Sequence, residues 1–163
     1  MDSGYLNKSG LRYQDDYESR RHYEKKLETI EEHSSIQKAA QRMKDKNVSS
    51  LVVVDATGEP QGLVTERDLV RKVCINDIRT GTITTREIMS SPIITIKSNS
   101  SPSEAADMML QHNIRHLLVV HGTNGDPNNN PIGILTPLDF TRYQEYANDN
   151  EKDSIEKILE YYI

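Results

Sequence analysis

The sequence predicts a mixed α/β (α+β-like) fold made of two β-α-β-β-α units, and two observations predict it. SSIQKAAQRMKDKNVSSLVVVD (34–55) aligns with SSPSEAADMMLQHNIRHLLVVH (100–121) at an offset of 66 residues. GLVTERDL (62–69) aligns with GILTPLDF (133–140) at an offset of 71. Because self-similarity of this kind indicates a repeated structural unit, the chain contains one supersecondary motif twice. The offsets differ through GTNGDPNNNP (122–131), a run of turn formers that predicts a longer loop in the second unit.

The first helix of each unit is predicted by a stripe of apolar residues. In the first unit these residues recur at i, i+3, i+4 and i+7, namely at Ile36, Ala39, Ala40 and Met43. That spacing is typical of one buried helical face. In the second unit Ser101 can cap the helix, Pro102 suits its first position, and Glu104 completes a capping box.

The other elements follow from short apolar runs and turn residues. LETI (27–30) and IITI (93–96) predict the first strand of each unit. A β-branched run that ends in turn residues predicts a buried second strand, and a Gly-apolar-apolar-Thr segment predicts a third. A second helix is predicted after the third strand, at ERDLVRKV (66–73) and PLDFTRYQ (137–144).

The pattern divides the chain into five parts. We predict an N-terminal extension that is helical or irregular (1–26), a first unit (27–75), a linker (76–92), a second unit (93–144) and a C-terminal amphipathic helix (145–163). Units of this size cannot each bury both faces of a sheet. We therefore expect the two units to pack sheet to sheet as one globule with pseudo-two-fold symmetry.

Both ends of the chain carry tyrosines, and all eight tyrosines lie outside the aligned blocks. In the C-terminal segment apolar residues recur at helical spacing, at Ile155, Ile158, Leu159 and Tyr162. Three interpretations are open: packing on the module or its dimer mate, docking of a partner protein, and stacking of single-stranded nucleic acid. Candidates for the third are Tyr13, Tyr17, Arg20 and Arg21, but the net charge of −5 argues against a nucleic-acid partner.

Composition and motifs exclude several classes of protein. The single cysteine, Cys74, forms no internal disulfide and is expected to be a packing residue. The longest apolar runs are too short to cross a bilayer and the N-terminus lacks a secretory signal, so we expect a cytoplasmic protein without membrane contact. His112 and His116 are separated by a predicted helix end, and no glycine-rich phosphate loop or nucleophile motif occurs. We expect no metal, no catalytic cofactor and no enzyme activity.

The order of elements, with Gly-apolar-apolar-Thr-x-x-Asp after the paired strands, resembles the cystathionine-β-synthase-type (CBS) domain. Two units in tandem resemble the paired Bateman module. The resemblance rests on IMSSPIITI (88–96), EAADMMLQHNIRHLLVV (104–120) and GILTPLDF (133–140), in the right order and spacing. It implies a regulatory module that binds AMP, ADP, ATP or S-adenosylmethionine in two clefts between the paired units. It also implies a homodimer that signals ligand state to a partner protein.

The repeated Thr-x-x-Asp motif is the candidate ligand site. Thr136 ends a strand and Asp139 falls in the first turn of the next helix, where a carboxylate can accept hydrogen bonds from both ribose hydroxyls. The helix N-terminus suits a phosphate. The same spacing fits a capping box that needs no ligand, and the two interpretations are compatible.

The resemblance also implies phosphate and adenine contacts. Family members frequently have a basic pair at the start of the second strand, which Arg115 and His116 match. Because adjacent strand residues point to opposite faces, we expect only one of the two to face a given cleft. The expected adenine wall consists of Pro92, Ile93, Ile94 and Thr95.

The first unit departs from this pattern, since Ser49 and Ser50 replace the basic pair. A weaker second site is therefore expected at Thr65, Arg67 and Asp68. The leading hypothesis is a sensor of adenosine-containing nucleotides. The alternatives are a ligand-independent interaction or scaffold module and an RNA-binding protein that uses the tyrosine- and arginine-bearing ends.

Overall fold

The computed structural model describes residues 27–121, 130–141 and 147–162. The chain divides into two units, which meet in the sequence at Ile93 and Ile94. Each unit contains one three-stranded sheet, and the predicted α/β class with its repeated β-α-β-β-α order is confirmed. The sheet-to-sheet packing and the predicted boundaries stay predictions. The N-terminal extension, with the residues considered for nucleic-acid stacking, lies outside the described residues.

The first unit consists of a sheet and helices in the predicted order. Its elements are β1 (Thr29–Glu31), α1 (Ile36–Lys46), β2 (Ser50–Val54), β3 (Pro60–Thr65), α2 (Glu66–Asp68) with a π-helical continuation (Leu69–Cys74), and α3 (Thr85–Ile88). Strand β2 is central, parallel to β1 and antiparallel to β3.

The first unit differs from the prediction at two places. Helix α3 was not predicted. Cys74 is exposed, so the expectation that it packs in the core was wrong.

The second unit repeats this arrangement. Its elements are β4 (Thr95–Lys97), α4 (Pro102–His112), β5 (Leu117–Val120), β6 (Pro131–Leu135), α5 (Pro137–Phe140) and α6 (Asp149–Tyr162). Strand β5 is central, parallel to β4 and antiparallel to β6. The antiparallel register shifts between Val53 and Val54 in the first sheet and between Val119 and Val120 in the second. A ladder irregularity at the same place in both copies supports a true structural repeat.

The ends of α1 and α4 are fixed by equivalent residues. The Ser35 hydroxyl accepts from the Lys38 N–H at 3.2 Å, and the predicted Ser101 cap accepts from the Glu104 N–H at 3.2 Å. Asn47 has φ 52° and Asn113 has φ 52°, so each ends its helix in the left-handed conformation that asparagine tolerates. The repeat therefore extends to the chemistry of the helix termini.

The segment 76–92 folds onto the first unit. Its end forms a pair of backbone hydrogen bonds with β3, because the Leu63 N–H donates to Ser90 O at 3.0 Å and the Ser90 N–H donates to Leu63 O at 2.8 Å. A Cβ at Gly62 would lie 2.7 Å from the Met89 sulfur and from the Ser90 carbonyl oxygen. Glycine is required there because the returning chain passes so close to β3.

The C-terminal helix α6 packs on the second unit. Ile155 and Ile158 have no exposed surface and belong to the same core cluster as Met109 and Phe140. Helices α4 and α5 are its neighbours. Among the residues that the structure describes, no helix is both long and apolar enough to cross a membrane.

We expect Ile158→Ala to lower the free energy of unfolding of the second unit by about 2–5 kcal/mol, because it leaves a cavity in a packed core. Urea unfolding followed by circular dichroism measures the change. Tyr161→Ala is the matched control on the same helix, since Tyr161 is 64% exposed. Its effect is expected to stay within about 0.5 kcal/mol. Equal effects of the two variants would contradict the packing of α6.

The turn between β2 and β3 is organised by one carboxylate. Asp55 Oδ1 accepts from the Thr57 hydroxyl at 2.6 Å, from the Thr57 N–H at 2.8 Å and from the Glu59 N–H at 3.1 Å. Its Oδ2 accepts from the Gln61 side chain at 2.7 Å. The hydroxyl of Thr57, followed by the backbone donors, holds the pKa of Asp55 below its ordinary value of 3.8.

A lowered carboxylate pKa stabilises the fold above the unfolded-state value, and this stabilisation is lost as the pH falls through the folded-state value. We therefore expect Asp55→Asn to have a lower Tm than the parent protein at about pH 7. The two melting curves should converge only once the pH has fallen below the lowered folded-state pKa of Asp55, where the carboxyl group is protonated. Thermal unfolding across this range tests the expectation. A difference in Tm that is the same at every pH would show that the charge of Asp55 does not contribute to the stability of the fold.

Candidate functional site

The Thr-x-x-Asp motif of the second unit forms a closed hydrogen-bonded turn. The Thr136 N–H and the Thr136 hydroxyl both donate to Asp139 Oδ2, each at 2.8 Å. The Asp139 N–H donates back to Thr136 O at 3.0 Å. Asp139 is only 8% exposed. The motif is thus a capping box in this structure, as one of the two interpretations predicted.

Local sequence explains why the turn forms directly after β6. Pro137 occupies the first helical position, where its fixed φ suits the helix and its missing N–H costs nothing. Phe140 is fully buried and anchors the other end of α5 in the core. The short helix is therefore held at both ends, and Asp139 has a defined position at its N-terminal turn.

The first unit repeats the turn but adds a cation. The Thr65 N–H and hydroxyl donate to Asp68 Oδ2 at 3.0 and 2.7 Å, and the Asp68 N–H donates to the Thr65 hydroxyl at 3.2 Å. The Lys72 ammonium lies 2.9 Å from Asp68 Oδ1 and donates to Ile88 O at 2.6 Å. The residue equivalent to Lys72 in the second unit is Tyr143, which carries no charge and lies outside the described residues.

Sequence reasoning missed Lys72. Its position four residues after Asp68 is the spacing of a helical ion pair and could have been noticed. Because Asp68 already pairs with Lys72, a sugar hydroxyl would compete with the Lys72 ammonium for the Asp68 carboxylate. Arg67, the third residue of the expected weaker site, is exposed on α2.

The basic pair of the second unit lies at the same end of the β5–β6 hairpin as the motif. The register pairs Leu117 with Leu135, the residues that adjoin His116 and Thr136. The first unit has the same geometry, with Ser50 opposite Thr65. The fold thus brings the start of one strand and the end of the next to one place.

Arg115 and His116 precede β5 and are both half-buried. Because they are not part of the strand, strand alternation does not decide which of them faces a ligand, and the expectation that only one does so stays a prediction. The guanidinium carbon of Arg115 lies 5.9 Å from the ring centroid of Tyr162, a cation–π distance. The Tyr162 hydroxyl donates to Asn113 Oδ1 at 3.4 Å. The contact between Arg115 and Tyr162 joins positions far apart in the sequence, so no local signal predicts it.

The expected adenine-wall residues follow one another where the first unit ends and the second begins. Pro92 and Thr95 are exposed, whereas Ile93 and Ile94 are half-buried. Ile94 packs against the second-unit core, and its carbonyl oxygen accepts from the Leu118 N–H at 3.0 Å. Their role as an adenine wall stays a prediction.

Within residues 27–121, 130–141 and 147–162, no group of three or more potential metal-ligating side chains occurs. In the same part of the chain every buried side-chain nitrogen and oxygen has a hydrogen-bond partner. The polar groups of the candidate site are therefore stabilised by protein contacts, and the Thr-x-x-Asp turns are complete as structural elements.

Comparison with known proteins identifies the family. The CBS domain model matches residues 21–74 and 86–146, so the chain belongs to the CBS domain family and contains two copies of the domain. A CBS domain pair is a regulatory module. An uncharacterized protein of Methanopyrus kandleri is 33% identical over 121 residues, which are 74% of this chain and 59% of that protein. Two other curated relatives are matched over 29% and 23% of their length.

Solved structures share the fold. An uncharacterized conserved protein from Pyrococcus horikoshii superposes with a TM-score of 0.67 at 26% identity, over 80% of this chain and 93% of its own. A CBS domain protein from Pyrobaculum aerophilum in complex with AMP has a TM-score of 0.67 at 21% identity, over 85% and 98% of the two chains. At 21% identity, the likeness to the P. aerophilum protein concerns the fold alone.

Proposed function

We propose that this CBS domain pair senses an adenosine-containing ligand, AMP, ADP, ATP or S-adenosylmethionine, and signals its presence to a partner protein. The observation that carries the proposal is the register of β5 and β6. It puts Arg115 and His116 at the same end of a hairpin as Thr136 and Asp139. A cationic group and a buried carboxylate at one place match the phosphate and the ribose of a nucleotide.

Each residue has a proposed role in binding. A carboxylate can accept about four hydrogen bonds, so Asp139 can bind the ribose hydroxyls while the capping box stays intact. Arg115 presents a planar fork to a phosphate and His116 adds a contact that depends on pH. Adenine lies against the wall formed by Pro92, Ile93, Ile94 and Thr95. The bound AMP of the P. aerophilum protein supports this class of ligand.

The first unit supplies the weaker site. Asp68 already forms an ion pair with Lys72, and Ser49 replaces the arginine. Arg67 is the remaining cation of that motif. We therefore assign the main ligand site to the second unit.

The signal requires that the ligand bind one conformation of the module better than another, since only a difference in affinity shifts a population. We place this response in a cytoplasmic homodimer without catalytic activity.

A second candidate is a ligand-independent interaction module. Two observations favour it: both Thr-x-x-Asp turns are complete as capping boxes, and Arg115 lies at cation–π distance from Tyr162. In that case the motifs stabilise helices and the surface of the module carries the function.

Thermal unfolding with AMP, ADP, ATP and S-adenosylmethionine tests the sensor. A ligand at about 100 times its Kd adds roughly 2.7 kcal/mol to the free energy of unfolding. For a chain of this size we expect Tm to rise by about 5–10 °C. Asp139→Ala should abolish the rise, whereas Asp68→Ala should keep it. Each rise is measured from the variant's own Tm, because loss of a helix cap alone costs about 0.5–2 kcal/mol.

The outcomes separate the candidates. A rise that is lost only in Asp68→Ala would move the site to the first unit. A rise in Tm of the same size in both variants would show that neither Asp139 nor Asp68 contacts the ligand. No rise with any of the four ligands would favour the interaction module.

A further inference from the structure

The first unit has a groove along its helices that the proposed nucleotide site does not use. Its volume is about 590 Å³, and it lies between the C-terminal half of α1 and the start of α2. Ala40, Met43 and Leu69 form its apolar floor, while Lys44 and Glu66 stand at its rim. All of its lining residues belong to the first unit.

The internal repeat shows what covers this place in the other unit. The equivalents of Ala40, Met43 and Leu69 are Ala106, Met109 and Phe140. These three residues have no exposed surface and form one cluster with the isoleucines of α6. In the second unit the groove is thus filled by an amphipathic helix.

The first unit lacks such a cover among the residues that the structure describes. Ala40 and Leu69 are half-buried, whereas their equivalents are fully buried; Met43 is buried, as is its equivalent Met109. In the same unit Val70, which follows Leu69, is 55% exposed and Ile75 is 72% exposed.

Charge indicates what kind of helix fits. Helix α1, which forms one wall of the groove, has four basic residues and one acidic residue; of the basic residues Lys44 lines the groove, and Arg42 forms an ion pair with Glu28. Helix α4, its equivalent, has two acidic residues and no lysine or arginine. The covering helix α6 has five acidic residues and two lysines. A helix with the character of α6 therefore meets a more complementary wall in the first unit than in the second.

We propose that the groove of the first unit binds an acidic amphipathic helix of a partner protein. The helix would insert two aliphatic side chains three residues apart, as α6 does with Ile155 and Ile158. A tyrosine four residues after the second of these aliphatic residues can donate its hydroxyl hydrogen bond to Asn47, as Tyr162 donates to Asn113. This is the helix-in-groove mode of recognition.

Two segments of the chain itself are poorer occupants. Helix α6 of a second copy is required by its own unit, because its Ile155 and Ile158 form part of the same buried cluster as Met109 and Phe140. Residues 1–26 contain six lysines and arginines and five acidic residues, so their net charge does not complement α1. These considerations favour a separate partner.

A labelled synthetic peptide, ANDNEKDSIEKILEYYI (147–163), serves as the probe because it has the proposed chemistry. Fluorescence anisotropy with the full chain measures its binding. We expect saturable binding that salt weakens, and a loss of about ten-fold or more in affinity in Leu69→Asp and in Lys44→Glu. Lys44 is exposed, so its replacement tests the groove without disturbing the core.

Leu138→Asp is the matched control, because Leu138 is 64% exposed on the second unit. Its affinity for the peptide should equal that of the parent protein. Absence of binding, or equal binding by all the variants, would overturn the proposal. Tighter binding by a peptide of residues 1–26 would overturn it in favour of an internal occupant. Self-association of the chain that Leu69→Asp abolishes, without peptide binding, would identify the groove as an interface between copies.

Discussion

The antiparallel pairing of a buried strand with its return strand is the constraint on which both units depend. Because Leu117 pairs with Leu135, the residues that lead into β5 lie beside the residues that follow β6. All four residues of β5 are buried, as are Gly133 and Leu135 of β6, so the packed core holds the register of the ladder. The positions of the basic pair and of the Thr-x-x-Asp turn are therefore fixed by the core and do not depend on contacts between these groups themselves.

The hydrogen bonds within the Thr-x-x-Asp turn of the second unit give it a structural role. Thr136 and Asp139 end a strand and begin a helix within four residues, and the carboxylate satisfies donors that the helix N-terminus would otherwise leave unpaired. A carboxylate held in this way loses little conformational entropy when a ligand binds. Structural capping and ligand recognition can therefore be functions of one residue.

The parts of the fold that sequence reasoning predicted are local or repeated. The Ser101 cap, the apolar stripe of α1 and the two hairpins depend on neighbouring residues or on comparison of the two copies. The parts that it missed are contacts between distant positions. The return of residues 76–92 onto β3 and the stacking of Arg115 on Tyr162 depend on packing, which periodicity does not encode. The prediction for Cys74 was wrong because its neighbour Val73 takes the buried position of that helical segment.

The contact between Arg115 and Tyr162 has a dynamic consequence. Tyr162 belongs to the last turn of α6, and terminal turns of helices open by fraying far more often than a whole domain unfolds. Each such opening would release the guanidinium from the aromatic ring and let it explore other rotamers. We therefore expect the orientation of Arg115 to vary with fast local fluctuations at the helix end, and that of Asp139, seated in a buried turn, to change more slowly.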